Sequence, residues 1–499
     1  VIKKLAKDMA MYLPSQFLPA LTALITTPIL TRLFHPAEYG YWALAVGASG
    51  FLLALAASGY ASSIMRFLPA YAAKSELNVF FATLNGSLTL GILLVNFLSF
   101  GVLFLLKGFL PVELYQLLWI SILLFDVQTV LTIYLVVLRT QDRSGMFSFF
   151  TLLVKYGALG FGLVLVLIFG MRIEGVVWGE VVVTAICLPV LIYLTTRGIT
   201  GGVHLRLYRS ADAVQFWKYA WPLNLGNMAM WALVLSDRFI IGIFRSASEV
   251  GLYSAAYNLS SKSIDILVQL FLLSMGPMII NIWESQGREA AENALAAITR
   301  VFLVVCLPAA VGLYVLSHPF MAILTDTAYQ EGYRIIGYVG FSSFAYGLSQ
   351  IASRGMLIAK DTWRLGINQI LAAAINVGLN LMLVPRYGYV AAGITTLIGY
   401  LILFILQAHG SRAHLTWRFP FRTLWNVIIA SVLMGLAVST VYALAPIKDQ
   451  PVNAGYLIFS IVAGVLVYFG AMLLLGEMTS AERNIAMNFL KRKKTAESV

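Results

Sequence analysis

Runs of about 20 apolar residues recur along the whole chain, and each is long enough for an α-helix to cross a bilayer. Backbone N–H and C=O groups inside hydrocarbon have no water to bond. A chain built this way must therefore satisfy them within helices or a closed barrel, and runs of this length select helices. Fourteen such spans can be marked, at 11–33, 40–66, 78–106, 117–138, 145–169, 176–195, 217–243, 251–280, 296–318, 333–358, 365–384, 390–408, 423–445 and 454–475. Composition agrees: 60% of the 499 residues are hydrophobic and 11% are charged, against about 25% charged in a soluble domain. No polar stretch approaches the roughly 50 residues a separate soluble domain needs, which argues against an attached catalytic or nucleotide-binding domain.

The net charge of +12 would suggest nucleic acid in a soluble protein. Here the charge sits in loops and tail, so it is read as topology and no nucleic-acid partner is expected. With both termini on one side, 24 of the 34 Lys and Arg fall on that side and eight on the other; Lys155 and Lys262 remain inside spans. The bias predicts cytoplasmic termini. The segment Tyr12–Leu33 behind Lys3, Lys4 and Lys7 reads as a retained first span rather than a signal peptide.

A repeat organises the spans. TRLFHPAEYGY (Thr31–Tyr41) follows the first span, and a relative, IIGIFRSASEVGLY (Ile240–Tyr253), follows the seventh. Each has an aromatic residue (Phe34, Phe244), then Glu-x-Gly (Glu38–Gly40, Glu249–Gly251), then Tyr or Trp. Leu138–Gly145 (LRTQDRSG) resembles Leu357–Gly366 (LIAKDTWRLG), and Gly170–Val181 resembles Pro385–Thr396. Spans 1–6 and 7–12 are thus two copies. Because six is even, both sit the same way up, related by a pseudo-two-fold axis along the membrane normal. The expected architecture is an all-α integral membrane protein: an N-terminal six-helix lobe (1–200), a C-terminal six-helix lobe (201–410), and two appended helices with a basic tail (411–499). Small-residue stretches such as GASG (Gly47–Gly50) allow close helix approach. Pro14, Pro19 and Pro28 would bend the first span, as a gate or as a static kink.

Ionisable groups inside spans are costly and mark cavities or ion pairs. Asp126, Lys155 and Lys262 fall near mid-depth. Lys262 and Asp265 are three apart on one helical face, so a cavity role competes with a structural ion pair. Asp126 and Lys155 are expected to face each other across spans 4 and 5. Asp237 and Arg238, adjacent in sequence, point about 100° apart, so one is expected to line a cavity while the other pairs. Arg66 and Arg354 lie near cytoplasmic ends and Glu180 near an outer end, where snorkelling to the interface is the alternative. Asn224, Asn227, Asn258, Asn376 and Asn380 read first as interhelical hydrogen bonders. No phosphate-binding G-x-x-x-x-G-K-[ST] and no H-E-x-x-H occurs. Cys187 and Cys306 lie in apolar runs, the five histidines lack ligand spacing, and no metal site is expected. Lys491–Lys494 read as a topology anchor or headgroup contact.

With the PAEYGYWAL turn (Pro36–Leu44) and the span ending SGYASSIMRFLPAY (Ser58–Tyr71), the chain resembles polysaccharide-transport, Wzx-type flippases. These belong to the multidrug/oligosaccharidyl-lipid/polysaccharide exporter superfamily. The resemblance extends through both repeats; the fourteen spans are also similar to those of the lipid II flippase, whose extra pair is thought to groove the lipid tail. It implies two lobes around a central cavity and alternating access, with no enzymatic activity. It also implies an undecaprenyl-pyrophosphate-linked oligosaccharide as cargo, moved across the bacterial inner membrane for O-antigen, capsule or exopolysaccharide. Membrane lipid, a glycan polymerase and a chain-length regulator are the implied partners. Arg66 matches a recurrent position, the Arg closing span 2. By depth alone, Arg66, Lys155, Lys262 and Arg354 are the candidate phosphate contacts. Asp126, Asp237, Arg238 and Asp265 are the candidate coupling-ion or gate residues, with H+ or Na+ as the ion and no other cofactor. The rivals are a multidrug and toxin extruder of the same superfamily, a glycan polymerase or ligase, and an assembly scaffold.

Overall fold

The computed structural model describes residues 21–22, 24–199, 202–444 and 454–477. Pro14, Pro19, the N-terminal lysines and Lys491–Lys494 lie outside the described residues, as does the start of the first span. The chain forms α1 (Leu24–Leu33), α2 (Pro36–Ala73), α3 (Leu77–Leu106), α4 (Val112–Thr140), α5 (Ser144–Leu167) and α6 (Glu174–Thr196). After a linker come α7 (Ser210–Phe244), α8 (Ala247–Val315), α9 (Ser317–Leu324), α10 (Tyr333–Ala352), α11 (Arg354–Ile358) and α12 (Thr362–Ser411). Two more helices, α13 (Phe421–Leu444) and α14 (Ala454–Leu474), complete it.

Among the described residues ten helices are long and apolar enough to cross a membrane. Two of these, α8 and α12, are each a pair of helices joined at a single non-helical glycine, Gly287 (φ 83°) and Gly388 (φ 66°). Splitting them, and adding the short α1 and the 20-residue α10, restores fourteen apolar segments. The span boundaries predict a polar connection between spans 8 and 9 and a glycine-containing turn between spans 11 and 12. One residue with positive φ reverses a helix in each case, a conformation glycine adopts without steric penalty, so no loop is needed.

The repeat is visible in the turns. Asp142 and Lys360 both take positive φ (58° and 59°). In each turn the next N–H bonds a carbonyl five residues back, Arg143 to Leu138 and Asp361 to Met356, both 2.9 Å. Each helix thus ends in the same Schellman-type cap. Exposed Phe97, Phe104 and Leu105 on α3 present an apolar face suited to lipid rather than water.

The lobes meet along α2. It runs antiparallel to α7 over most of its length, with Asn224 Nδ2 donating to the Leu55 carbonyl (3.0 Å), Ser63 Oγ to that of Phe216 (3.0 Å), and Phe67 stacked on Phe216. Nearer its N-terminus α2 also packs on α8. One apolar core, containing Leu30, Tyr39, Val177, Ile241, Val250, Tyr253 and Ile335, runs through both lobes at that end. The appended helices dock on the second half of α8, where Tyr468 donates to the Val304 carbonyl at 2.8 Å and Glu477 pairs with Arg300 at 3.1 Å.

Candidate functional site

The two Glu-x-Gly turns, distant in sequence, touch. A β-carbon on Gly40 would overlap the Ala247 carbonyl oxygen, and one on Gly251 would overlap that of Pro36. Two glycines in equivalent positions thus let two helix N-termini meet backbone to backbone. Each turn's glutamate fastens its own lobe. Glu38 accepts from the His35 N–H (3.2 Å) and pairs with Arg172 (2.8 Å). Glu249 pairs with Arg245 (2.9 Å) and accepts from the Tyr389 N–H (3.1 Å), beside the Gly388 bend. Tyr329 donates to the Phe34 carbonyl (2.9 Å), and Arg32 to that of Ile323 (2.8 Å). This end of the lobe interface is sealed.

Below the seal lies a cavity of about 420 Å³ between the lobes. Thr22, Thr26, Trp42, Lys155 and Glu180 line it from the first lobe; Asn258, Lys262, Asp265 and Gln269 line it from α8. Lys155 is exposed and forms no ion pair among the described residues. It lies about 16 Å along α5 from the helix start. Lys262 and Asp265 form the expected pair, loosely, at 3.9 Å, with the lysine side chain 44% exposed. A salt bridge that open contributes little to stability. Glu180 accepts from Gln128 Nε2 (2.7 Å), and Gln128 Oε1 accepts from Ser49 (3.4 Å), a chain tying α6, α4 and α2.

Asp237 and Arg238 are both buried, at 0% and 4% exposure, so neither lines the cavity as the sequence suggested. Asp237 accepts from Tyr253, from Thr396 (2.7 Å) and from Asn380 Nδ2 (2.7 Å). Asn380 in turn donates to Asn376 Oδ1 (3.3 Å) and accepts from Thr395. Arg238 donates to Ser254 (3.1 Å) and the Val234 carbonyl (3.1 Å) and lies 4.8 Å from the Tyr257 ring centre. Through Asn258 (3.5 Å) it reaches the cavity wall. The donors around Asp237 come from α8 and from both halves of α12, on either side of Gly388, so a carboxylate in low dielectric is compensated from three helical segments. The side chains of Asp237, Asn376, Asn380, Thr395 and Thr396 thus form one buried hydrogen-bonded network, rich in the oxygen atoms that hard cations prefer. No cluster of three His, Cys, Asp or Glu suited to a metal occurs among the described residues.

The other candidates lie elsewhere. Asp126 accepts from Asn96 on α3 (2.9 Å) and does not face Lys155; that expected pair is absent because Lys155 turns to the lobe interface. Arg66 is exposed on the far half of α2. Arg354 sits at the break between α10 and α11, beside Gly276, and its buried Nε has no hydrogen-bond partner among the described residues. Gln128 is not marked out in the sequence, and Glu180 is marked there only as a charge near an outer span end, with snorkelling to the interface as its alternative. The signal available was an amide side chain two positions after Asp126 in the middle of a predominantly apolar helix.

A family described as "Polysaccharide biosynthesis protein" matches residues 5–283. The probable flippase AglR of Haloferax volcanii is 23% identical over 340 residues, covering 66% of this chain and 67% of that protein. The probable low-salt glycan biosynthesis flippase Agl15 of the same organism is 21% identical over 205 residues, 40% of this chain; the match spans 43% of that protein's length. Among solved structures, lipid II flippase MurJ in an inward closed conformation superposes with a TM-score of 0.76 at 16% identity, covering 94% of this chain and 99% of that one. An inward-facing multidrug resistance MATE family transporter of the MOP superfamily gives 0.61 at 13% identity, with 80% and 93% covered. At these identities the structures share a fold.

Proposed function

The chain belongs to the polysaccharide biosynthesis protein family, and from that premise we propose that it is a flippase for a lipid-linked oligosaccharide. The observation that carries this reading is the cavity: two lysines near mid-depth, between two lobes, under a face closed by paired glycines. A phosphate-linked sugar headgroup is far too polar to cross hydrocarbon unaided. Lys155 and Lys262 replace part of its water with charge-assisted hydrogen bonds. Arg354 and Arg66, nearer the opposite face, receive it on the way in. The tail stays in lipid while the headgroup passes between the lobes. Parting of the Gly40–Ala247 and Gly251–Pro36 contacts opens the sealed face, and closure of the other end completes alternating access.

In the orientation that places most Lys and Arg in the cytoplasm, the sealed face is the outer one and the termini are cytoplasmic. The buried Asp237 network is the coupling-ion site in this reading, with Na+ or H+ as the ion; Asp126 and Asp265 are weaker candidates for the same role. The undecaprenyl-pyrophosphate carrier, the bacterial inner membrane, the O-antigen, capsule or exopolysaccharide product and the polymerase and chain-length partners rest on family resemblance. The named relatives are a probable low-salt glycan biosynthesis flippase and a probable flippase of Haloferax volcanii, and the class we commit to is a polyprenyl carrier.

Lys155→Ala and Lys262→Ala, expressed at wild-type level, are each expected to cut surface glycan about tenfold or more, since a lost charged hydrogen bond costs about 1.5–3 kcal/mol. Undiminished glycan in both variants removes the cavity from the mechanism. A drug-susceptibility panel on the deletion strain tests the extruder alternative; single glycan units remaining on its surface would point to a polymerase.

A further inference from the structure

The cavity is not simply cationic. Among the described residues its charged lining is Lys155 and Glu180 from the first lobe and Lys262 and Asp265 from the second, so each lobe brings one positive and one negative group and their formal sum is zero. Gln128 holds one oxygen of Glu180 at 2.7 Å; the other has no donor among the described residues. Asp265 is paired to Lys262 only at 3.9 Å. Resting on the flippase reading above, we propose that Glu180 and Asp265 are charge regulators of the cavity: a multiply anionic headgroup enters together with protons, which these two carboxylates take up.

Charge arithmetic drives the uptake. A pyrophosphate engaging Lys155 and Lys262 draws Lys262 from Asp265 and leaves several negative charges in a confined, poorly solvated space. An uncompensated buried charge is costly, and a carboxylate beside other anions neutralises by binding a proton. The groups facing Glu180 are Lys155 from α5, Lys262 and Asp265 from α8, and the neutral Gln128 and Ser49. Those electrostatically close to Asp265 are Lys262 and Tyr257 on its own helix, Ser343 and Tyr346 from α10, and Tyr400 from α12. Among these described groups only the two lysines bring positive charge. Arg238, one hydrogen bond behind Asn258, is already engaged by Ser254 and the Val234 carbonyl. Glu180 also sits where only the first lobe can supply it, so the two proton sites lie on opposite walls and separate when the lobes part.

The test is calorimetric titration of the full chain in zwitterionic-lipid nanodiscs with farnesyl pyrophosphate, in two buffers of different ionisation enthalpy, at a pH where the probe is fully ionised. Net uptake of about one to two protons per bound probe is expected for the wild type. Glu180→Gln and Asp265→Asn should each remove a fraction of the uptake per bound probe, and the less charged farnesyl phosphate should recruit fewer protons. Binding with no proton uptake by the wild type overturns the inference while leaving the flippase reading intact; so does uptake unchanged in both variants. Absence of any binding heat overturns both.

Discussion

At the scale of single residues, what distinguishes the charged groups is their compensation. Lys262 and Asp265 were legible as a pair because three-residue spacing on a helix fixes their proximity. Asp126 and Lys155 were not, because nothing local says which neighbour a membrane helix turns toward. Asp237 was legible as unusual but its donors were not: Tyr253, Asn380 and Thr396 are brought to it by tertiary packing. If this network is the coupling site, Na+ raises the wild-type unfolding temperature in detergent, by an amount equivalent to about 2.7 kcal/mol at a hundredfold excess over Kd. Asp237→Asn abolishes that rise and, by leaving one of the buried donors Tyr253, Thr396 or Asn380 without its acceptor, lowers baseline stability by about 1–3 kcal/mol. A sodium response unchanged in Asp237→Asn assigns the ion elsewhere.

At the scale of elements, the seal and the docking of the appended helices make separate predictions. Gly40→Ala and Gly251→Ala add a methyl group where a carbonyl oxygen already lies, between lobes rather than within one. Each should therefore leave folding intact and hold the face open. An Asn258→Cys reporter should then become reactive to a membrane-impermeant thiol reagent from the sealed side; it should stay protected when both glycines are present. At the other end, Glu477 accepts from Thr423, Asn426 and Arg300. Burial alone would raise its carboxyl, but these bonds and the Arg300 charge outweigh it and hold it below the usual carboxylate range. A depressed carboxyl contributes stability at pH above its unfolded value, about 4.3, and loses it as pH falls through the folded value. Acidification should thus loosen α14 from α8, seen as faster hydrogen exchange in α14, and Glu477→Gln should show that loosening already at neutral pH. The paired turns at Asp142 and Lys360 were readable from their sequences. The reversal at Gly388 was readable as a glycine-containing turn; the one at Gly287 was not, since the polar residues around it imitate a loop.

At the scale of the whole molecule, apolar run length and the repeat made the two-lobe bundle readable, because bilayer thickness and backbone satisfaction leave few alternatives. The cavity was less readable, since it belongs to neither lobe: Lys155 and Lys262 share it only when α5 and α8 are brought face to face. The central claim, that two lobes pass a phosphate-linked glycan through a charged chamber, is tested most directly in proteoliposomes. They would carry the purified chain and a fluorescent polyprenyl-pyrophosphate oligosaccharide, with headgroup accessibility followed from outside. The account predicts headgroup exchange well above protein-free vesicles, falling about tenfold or more in a Lys155→Ala/Lys262→Ala double variant. Exchange no faster than in empty vesicles, or equally fast in the double variant, would contradict it.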